Sequence, residues 1–153
     1  MKATLRWDTA LRFVGTNEKG QETIFDTSLK GGGLDSAAGP MEIVLEAAAA
    51  CTAMDIVTIL KKKRRIVTEF TIDLDAERAE QHPKVFTKIA MDIRLVSPDA
   101  TEQELRRAIE LSQTNYCSVS IMLARSGCEI TWRAELSAPR EIEKTQVAIG
   151  GTA

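Results

Sequence analysis

The sequence is poor in the residues that most often supply catalysis, metal ligation and covalent staples. It holds one histidine, His82, and three cysteines, Cys51, Cys117 and Cys128, in 153 residues. A single histidine excludes a histidine-based metal site and a histidine-led centre with a second histidine beside it. The cysteines stand far apart, with no C-x-x-C pair and no even set, which excludes a secreted disulfide framework. P-loop, G-x-G-x-x-G and spaced metal-ligand motifs are all missing. Nine glycines and four prolines are too few for a collagen-like or low-complexity chain. Charge of one sign is lacking as well. Twenty basic and 22 acidic residues leave a net charge of −2, which gives no overall attraction to nucleic acid or to an anionic membrane. The opening Met1-Lys2-Ala3-Thr4-Leu5-Arg6-Trp7-Asp8 has no apolar leader, and with so few cysteines the expected compartment is a reducing cytoplasm.

What remains is an ordinary globular composition, 44% hydrophobic and 27% charged. A chain of this length buries roughly 68–70% of its unfolded surface, enough for a core without staples. Residues 3–13 alternate, with Ala3, Leu5, Trp7, Leu11 and Phe13 apolar, and predict one strand with a buried face. Gly15 to Gly20 is turn chemistry, Gln21 to Thr27 a return strand, and the triple glycine between Leu29 and Gly39 a flexible loop. Pro40 opens a helix to about Lys63, with Glu42 in its first turn and apolar residues surrounding the axis from Ile43 to Cys51. Its apolar run reaches 18 residues but contains Glu46 and Asp55, which favours a buried core helix over a membrane span. At 1.5 Å per residue that helix is roughly 36 Å long, too long for one small subunit to cover, and predicts an obligate homodimer.

Two alternating runs follow. Phe70, Ile72, Leu74 and Ala76 share one face, Val85, Ile89, Met91, Ile93 and Leu95 another, and Ala79 to Pro83 joins them as a hairpin. Thr101 and Glu104 form a capping box for a helix to about Asn115; a second short helix spans Tyr116 to Ala124 and ends at Gly127. Glu129 to Leu136 is a last strand. Hairpins outnumber crossovers, so the expected class is α+β with antiparallel sheets, one domain over residues 1–139. The tail 140–153 loses periodicity and is expected to fray.

Cys51 lies in the apolar helix, where a small buried hydrophobe is the plain reading and a reactive thiol the functional one. Cys117 begins a helical turn, an environment that lowers a thiol pKa. Cys128 is in phase with Ile130 and Trp132 and reads as structural. Asp55 is one helical turn from Cys51, but a carboxylate would raise the thiol pKa, which argues against direct contact. Arg12 falls on the polar face of the first strand. The basic run Lys61 to Arg65 ends a helix and reads as a solvated face.

The stretch from Gly39-Pro40-Met41-Glu42 through Ala47-Ala48-Ala49-Ala50-Cys51-Thr52-Ala53-Met54-Asp55, with Cys117 66 residues after Cys51, resembles the signature of the OsmC/Ohr family, most closely its OsmC-like branch. The resemblance covers roughly residues 3–137. It implies an OsmC-like fold of antiparallel sheets packed on long central helices in an intertwined homodimer. It implies reduction of organic hydroperoxides without metal or organic cofactor: Cys51 forms a sulfenate, Cys117 resolves it, and an external dithiol resets the pair. Arg12 matches the arginine that stabilises the thiolate, in the dimer that of the other subunit, and Glu42 a polar position of the helix motif. The family's glutamate directly after the proline is Met41 here. That departure supports an alternative, a non-enzymatic protein of this fold holding a small apolar ligand in its dimer cleft.

Overall fold

Alternation at the two ends of the chain builds two separate three-stranded sheets, seen in a computed structural model that describes residues 1–140. The expected frayed tail lies, beyond Arg140, outside the described residues. The first sheet is β1 (Ala3–Thr9), β2 (Arg12–Asn17) and β3 (Glu22–Phe25), antiparallel in chain order. The sequence predicts one strand through Phe13; instead the chain reverses at Ala10 and Leu11, with Ala10 at φ 46. The two-residue turn pairs Thr9 with Arg12, and a register shift between Trp7 and Thr9 then sets Trp7 opposite Phe13 and Leu5 opposite Gly15. Odd positions therefore share a face on both strands, and the apolar alternation runs straight through the reversal. The expected buried face is also uncovered within the chain. Every β1 residue is exposed, and Leu5 and Trp7 each keep 62% of their accessible surface.

The second sheet pairs β4 (Glu69–Arg78) with β5 (Phe86–Val96) as an antiparallel hairpin. Strand β6 (Glu129–Ser137) lies on the other side of β5 and runs parallel to it, so this sheet is mixed rather than antiparallel. A helical crossover between β5 and β6 allows that direction. β5 is therefore central, and its Ile89, Met91, Ile93 and Leu95 are almost wholly buried. A register shift at Glu77/Arg78 turns Phe86, not Val85, into the core.

Helix α1 (Pro40–Lys62) starts on proline, whose missing N–H had no intrahelical partner to lose. Glu42 reaches back to accept the Gly39 N–H at 2.6 Å. Only one stripe of α1, Ala48, Thr52, Ile56 and Leu60, is buried within the chain, so the expectation of packing on all sides is not met there. By length and composition alone α1 is apolar enough to cross a membrane. Its buried stripe nonetheless carries the packing of β4 and of two shorter helices. Helix α2 (Glu102–Leu111) is capped reciprocally by Thr101 and Glu104, as the sequence predicts. It ends earlier than Asn115, in a π-helical turn over Ser112–Tyr116. Helix α3 (Ser118–Arg125) follows, with Cys117 as its N-cap, and Gly127 at φ 95 turns the chain into β6. Leu105, Ala108 and Ile109 of α2 join Ile56, Leu60 and β5 in the core.

The loop expected to be flexible is instead organised around one carboxylate. Asp26 is 1% exposed and accepts the N–H groups of Thr27, Leu34 and Ser36 at 2.8, 3.2 and 3.0 Å, and the Ser36 hydroxyl at 2.6 Å. A Cβ on Gly33 would lie 2.1 Å from the Thr27 carbonyl oxygen, so the closeness of the loop requires glycine there.

Candidate functional site

Cys51 sits in the fourth turn of α1, and Asp55 follows one turn later on the same helix. The crossover then returns the chain over that face: α2 packs on α1, and the π-helical turn lowers Cys117 against it. Extra-wide turns of this kind re-aim side chains within an otherwise regular helix. The Cys51 and Cys117 sulfurs and an Asp55 carboxylate oxygen all lie within 4.8 Å of one another. Cys51 is half-buried, whereas Cys117 is fully buried. Both cysteines are free.

The two sulfurs have different surroundings. Burial works to raise the Cys117 thiol, but hydrogen bonds outweigh it and hold it below the ordinary cysteine value. Ser120 Oγ lies 3.1 Å from Cys117 Sγ, the Ser120 N–H donates to that sulfur at 3.4 Å, and the Thr52 hydroxyl donates at 3.4 Å. Thr52 in turn accepts from Gln113 Nε2 at 3.0 Å. Cys51 is pushed up, first by burial and then by its neighbours Cys117 and Asp55. The cluster thus favours the thiolate at the inner sulfur and disfavours it at the outer one.

Of the residues singled out in the sequence, the structure brings Cys51 and Cys117 together and leaves two elsewhere. Arg12 is on β2, ion-paired with Asp8. Glu42 is used at the start of α1 as the partner of the Gly39 N–H. Asp55, whose contact with the thiols the sequence argued against, stands beside both, and the Ser112 hydroxyl donates to its Oδ2 at 2.9 Å. The three ligand-type atoms also form a cluster able to hold a cation, which no local spacing in the sequence announced. Thr52, Ser112 and Gln113 depend on how the π turn docks, for which the sequence has no periodic signal, whereas Ser120 meets Cys117 locally as part of the α3 N-cap. Cys128 is buried on the approach to β6, as expected for a structural cysteine.

Comparison with known proteins bears on the family and the fold. The family model described as "OsmC-like protein" matches residues 32–133. Protein YhfA of Escherichia coli strain K12 is 36% identical over 126 residues, covering 82% of this chain and 91% of that protein. Among solved structures, a hypothetical protein from Aquifex aeolicus VF5 superimposes with a TM-score of 0.78 at 28% identity, covering 91% of this chain and 97% of that one. An organic hydroperoxide resistance protein from Legionella pneumophila shares the fold, with a TM-score of 0.60 at 12% identity over 89% of this chain and 95% of that one. With the paired cysteines, the long helix that carries the first and the family model spanning most of the sequence, the chain belongs to the OsmC-like family.

Proposed function

We propose that the chain is a thiol-dependent reductase of organic hydroperoxides, working as a homodimer. The observation that carries this reading is the meeting of Cys51 and Cys117, 66 residues apart in sequence, as free thiols of unequal burial and acidity. The fold shared with proteins described as organic hydroperoxide resistance proteins is consistent with it.

Cys51 is the half-exposed sulfur and meets the peroxide first. After losing its proton it attacks the terminal peroxide oxygen; an S–O bond forms, the O–O bond breaks, and the alkoxide leaves with a proton as the alcohol. Cys51 is then a sulfenic acid. The Cys117 thiolate attacks that sulfur, hydroxide departs with a proton as water, and a disulfide closes, which halts the climb to irreversible oxidation. Two electrons pass from the thiol pair to the peroxide, and an external dithiol returns them. The first sheet, uncovered on its Leu5 and Trp7 face, is the part of the chain that a second copy would engage, and its Arg12 is then the cation delivered to the other copy's thiol.

Steady-state turnover with a dithiol reductant tests the reading. Cumene and fatty acyl hydroperoxides should be consumed faster than hydrogen peroxide, because the helix around Cys51 is apolar. Cys51→Ser should abolish turnover, and Cys117→Ser should allow one turnover and then stall. Equal rates for wild type and Cys51→Ser would dismiss the proposal.

A further inference from the structure

The reaction just described has no use for Asp55. A carboxylate beside two thiols sets like charge against like charge, and a nucleophilic thiol gains nothing from it. Yet the side chain is held in place: it follows Cys51 by four residues on the same face of α1, and the buried Ser112 hydroxyl fixes its Oδ2 at 2.9 Å. We propose that Cys51 Sγ, an Asp55 carboxylate oxygen and Cys117 Sγ form a binding site for a thiophilic divalent cation of the zinc class while both thiols are reduced.

Three observations support this. The donor set, two sulfurs and one oxygen, suits a borderline-soft ion and does not suit magnesium or calcium, which take oxygen ligands. The three atoms lie within 4.8 Å of one another, and a tetrahedral ion with roughly 2.0–2.3 Å bonds spaces its ligands by roughly 3.3–3.8 Å, so side-chain rotations that draw the cluster in complete the site. Each inner ligand is also held by a neighbour, as ligands at such sites usually are: Ser112 on Asp55, and Thr52 and Ser120 on Cys117. Three protein ligands leave a fourth position open on the side where Cys51 is exposed. The cation would cancel two of the three negative charges that the deprotonated cluster holds. A disulfide consumes both sulfur ligands, so the bound cation and the oxidised pair exclude each other. The site thus reports the redox state of its own thiols.

The test is titration of Co2+ into the full-length, fully reduced protein without oxygen. One equivalent per chain should bring in thiolate-to-cobalt charge transfer and the intense visible bands of tetrahedral cobalt, and Zn2+ should displace it. Cys51→Ser and Cys117→Ser should lose the charge-transfer band. Ser112→Ala should weaken binding about tenfold, Asp55→Asn more than that, and Cys128→Ser should change nothing. A wild-type protein without the band overturns the proposal without reference to any variant. So does Asp55→Asn binding as tightly as wild type, or a signal that depends on Cys128. No peroxide is present, so a failed titration leaves the reductase reading standing, and cobalt binding without peroxide turnover defeats only that reading.

Discussion

Replacing Thr52 by valine isolates the forces that make Cys117 the more acidic thiol. The two side chains are nearly the same shape, so Thr52→Val opens no cavity, and residue 52 is fully buried, so water does not take the hydroxyl's place. What is lost is polar: the donor 3.4 Å from Cys117 Sγ, the acceptor 3.0 Å from Gln113 Nε2, and the 3.3 Å contact with Ser120 Oγ. A hydrogen bond to a charged acceptor contributes about 1.5–3 kcal/mol, and a neutral one about 1 kcal/mol. Gln113 is half-exposed and finds water, so the sulfur's loss dominates. The sign follows from the direction of the shift. A thiol whose folded pKa is lowered contributes stability above its unfolded value, and that contribution is lost as pH falls through the folded value. Thr52→Val should therefore cost about 1–3 kcal/mol in urea unfolding of the reduced protein at alkaline pH and less at mildly acidic pH. The absorbance titration of the Cys117 thiolate should move upward in pH. A uniform loss at all pH values with an unmoved titration would mean that Thr52 only packs, and would refute the reasoning.

Two further perturbations follow from the fold. Asp26→Asn keeps the shape but weakens the acceptor for four donors. Hydrogen bonds from Ser36, Thr27 and Leu34 hold the Asp26 carboxyl well below the usual carboxylate range, outweighing the burial that opposes them. Its contribution is complete above the ordinary carboxylate pKa and fades only as pH falls through the depressed value, so the gap in melting temperature between wild type and Asp26→Asn should close in acid. Trp7→Ser removes a large aromatic from the uncovered face of the first sheet. Loss of such an anchor at an interface commonly costs 2 kcal/mol or more, about thirtyfold in association. Light scattering on dilution should show that variant dissociating to the 16.8 kDa chain mass at concentrations where wild type holds twice that mass.

The elements legible in the sequence were those whose signals are local. Pro40 marked the start of α1, Thr101 and Glu104 the start of α2, and the alternation from Glu129 gave β6. The reversal at Ala10 escaped because the register shift between Trp7 and Thr9 restores the phase that a two-residue turn would have flipped. The parallel direction of β6 escaped because direction depends on the crossover and not on any strand residue. The loop after Thr27 looked flexible because glycine content was visible and the Asp26 clamp, which reaches up to ten residues along the chain to Leu34 and Ser36, was not. In the candidate site, the two cysteines were legible through a motif that resembles a family's. The lowering of the Cys117 thiol was legible in part, because its place at a helix start brings the Ser120 N–H to the sulfur locally; the Thr52 contribution was not, since Thr52 reaches that sulfur only once the π turn has docked on α1. Asp55 was weighed by the charge it brings and set aside, whereas helical spacing had already put it within one turn of Cys51.

The central claim, that Cys51 and Cys117 act as one two-electron pair toward organic hydroperoxides, is tested most directly by single-equivalent oxidation. Fully reduced protein is mixed with one equivalent of cumene hydroperoxide, quenched with an alkylating agent and mapped by peptide mass spectrometry. The account predicts a Cys51–Cys117 disulfide in nearly every chain, Cys128 alkylated, and no bond in Cys51→Ser. Cys51 and Cys117 both recovered as alkylated thiols, with the peroxide unconsumed, would contradict it.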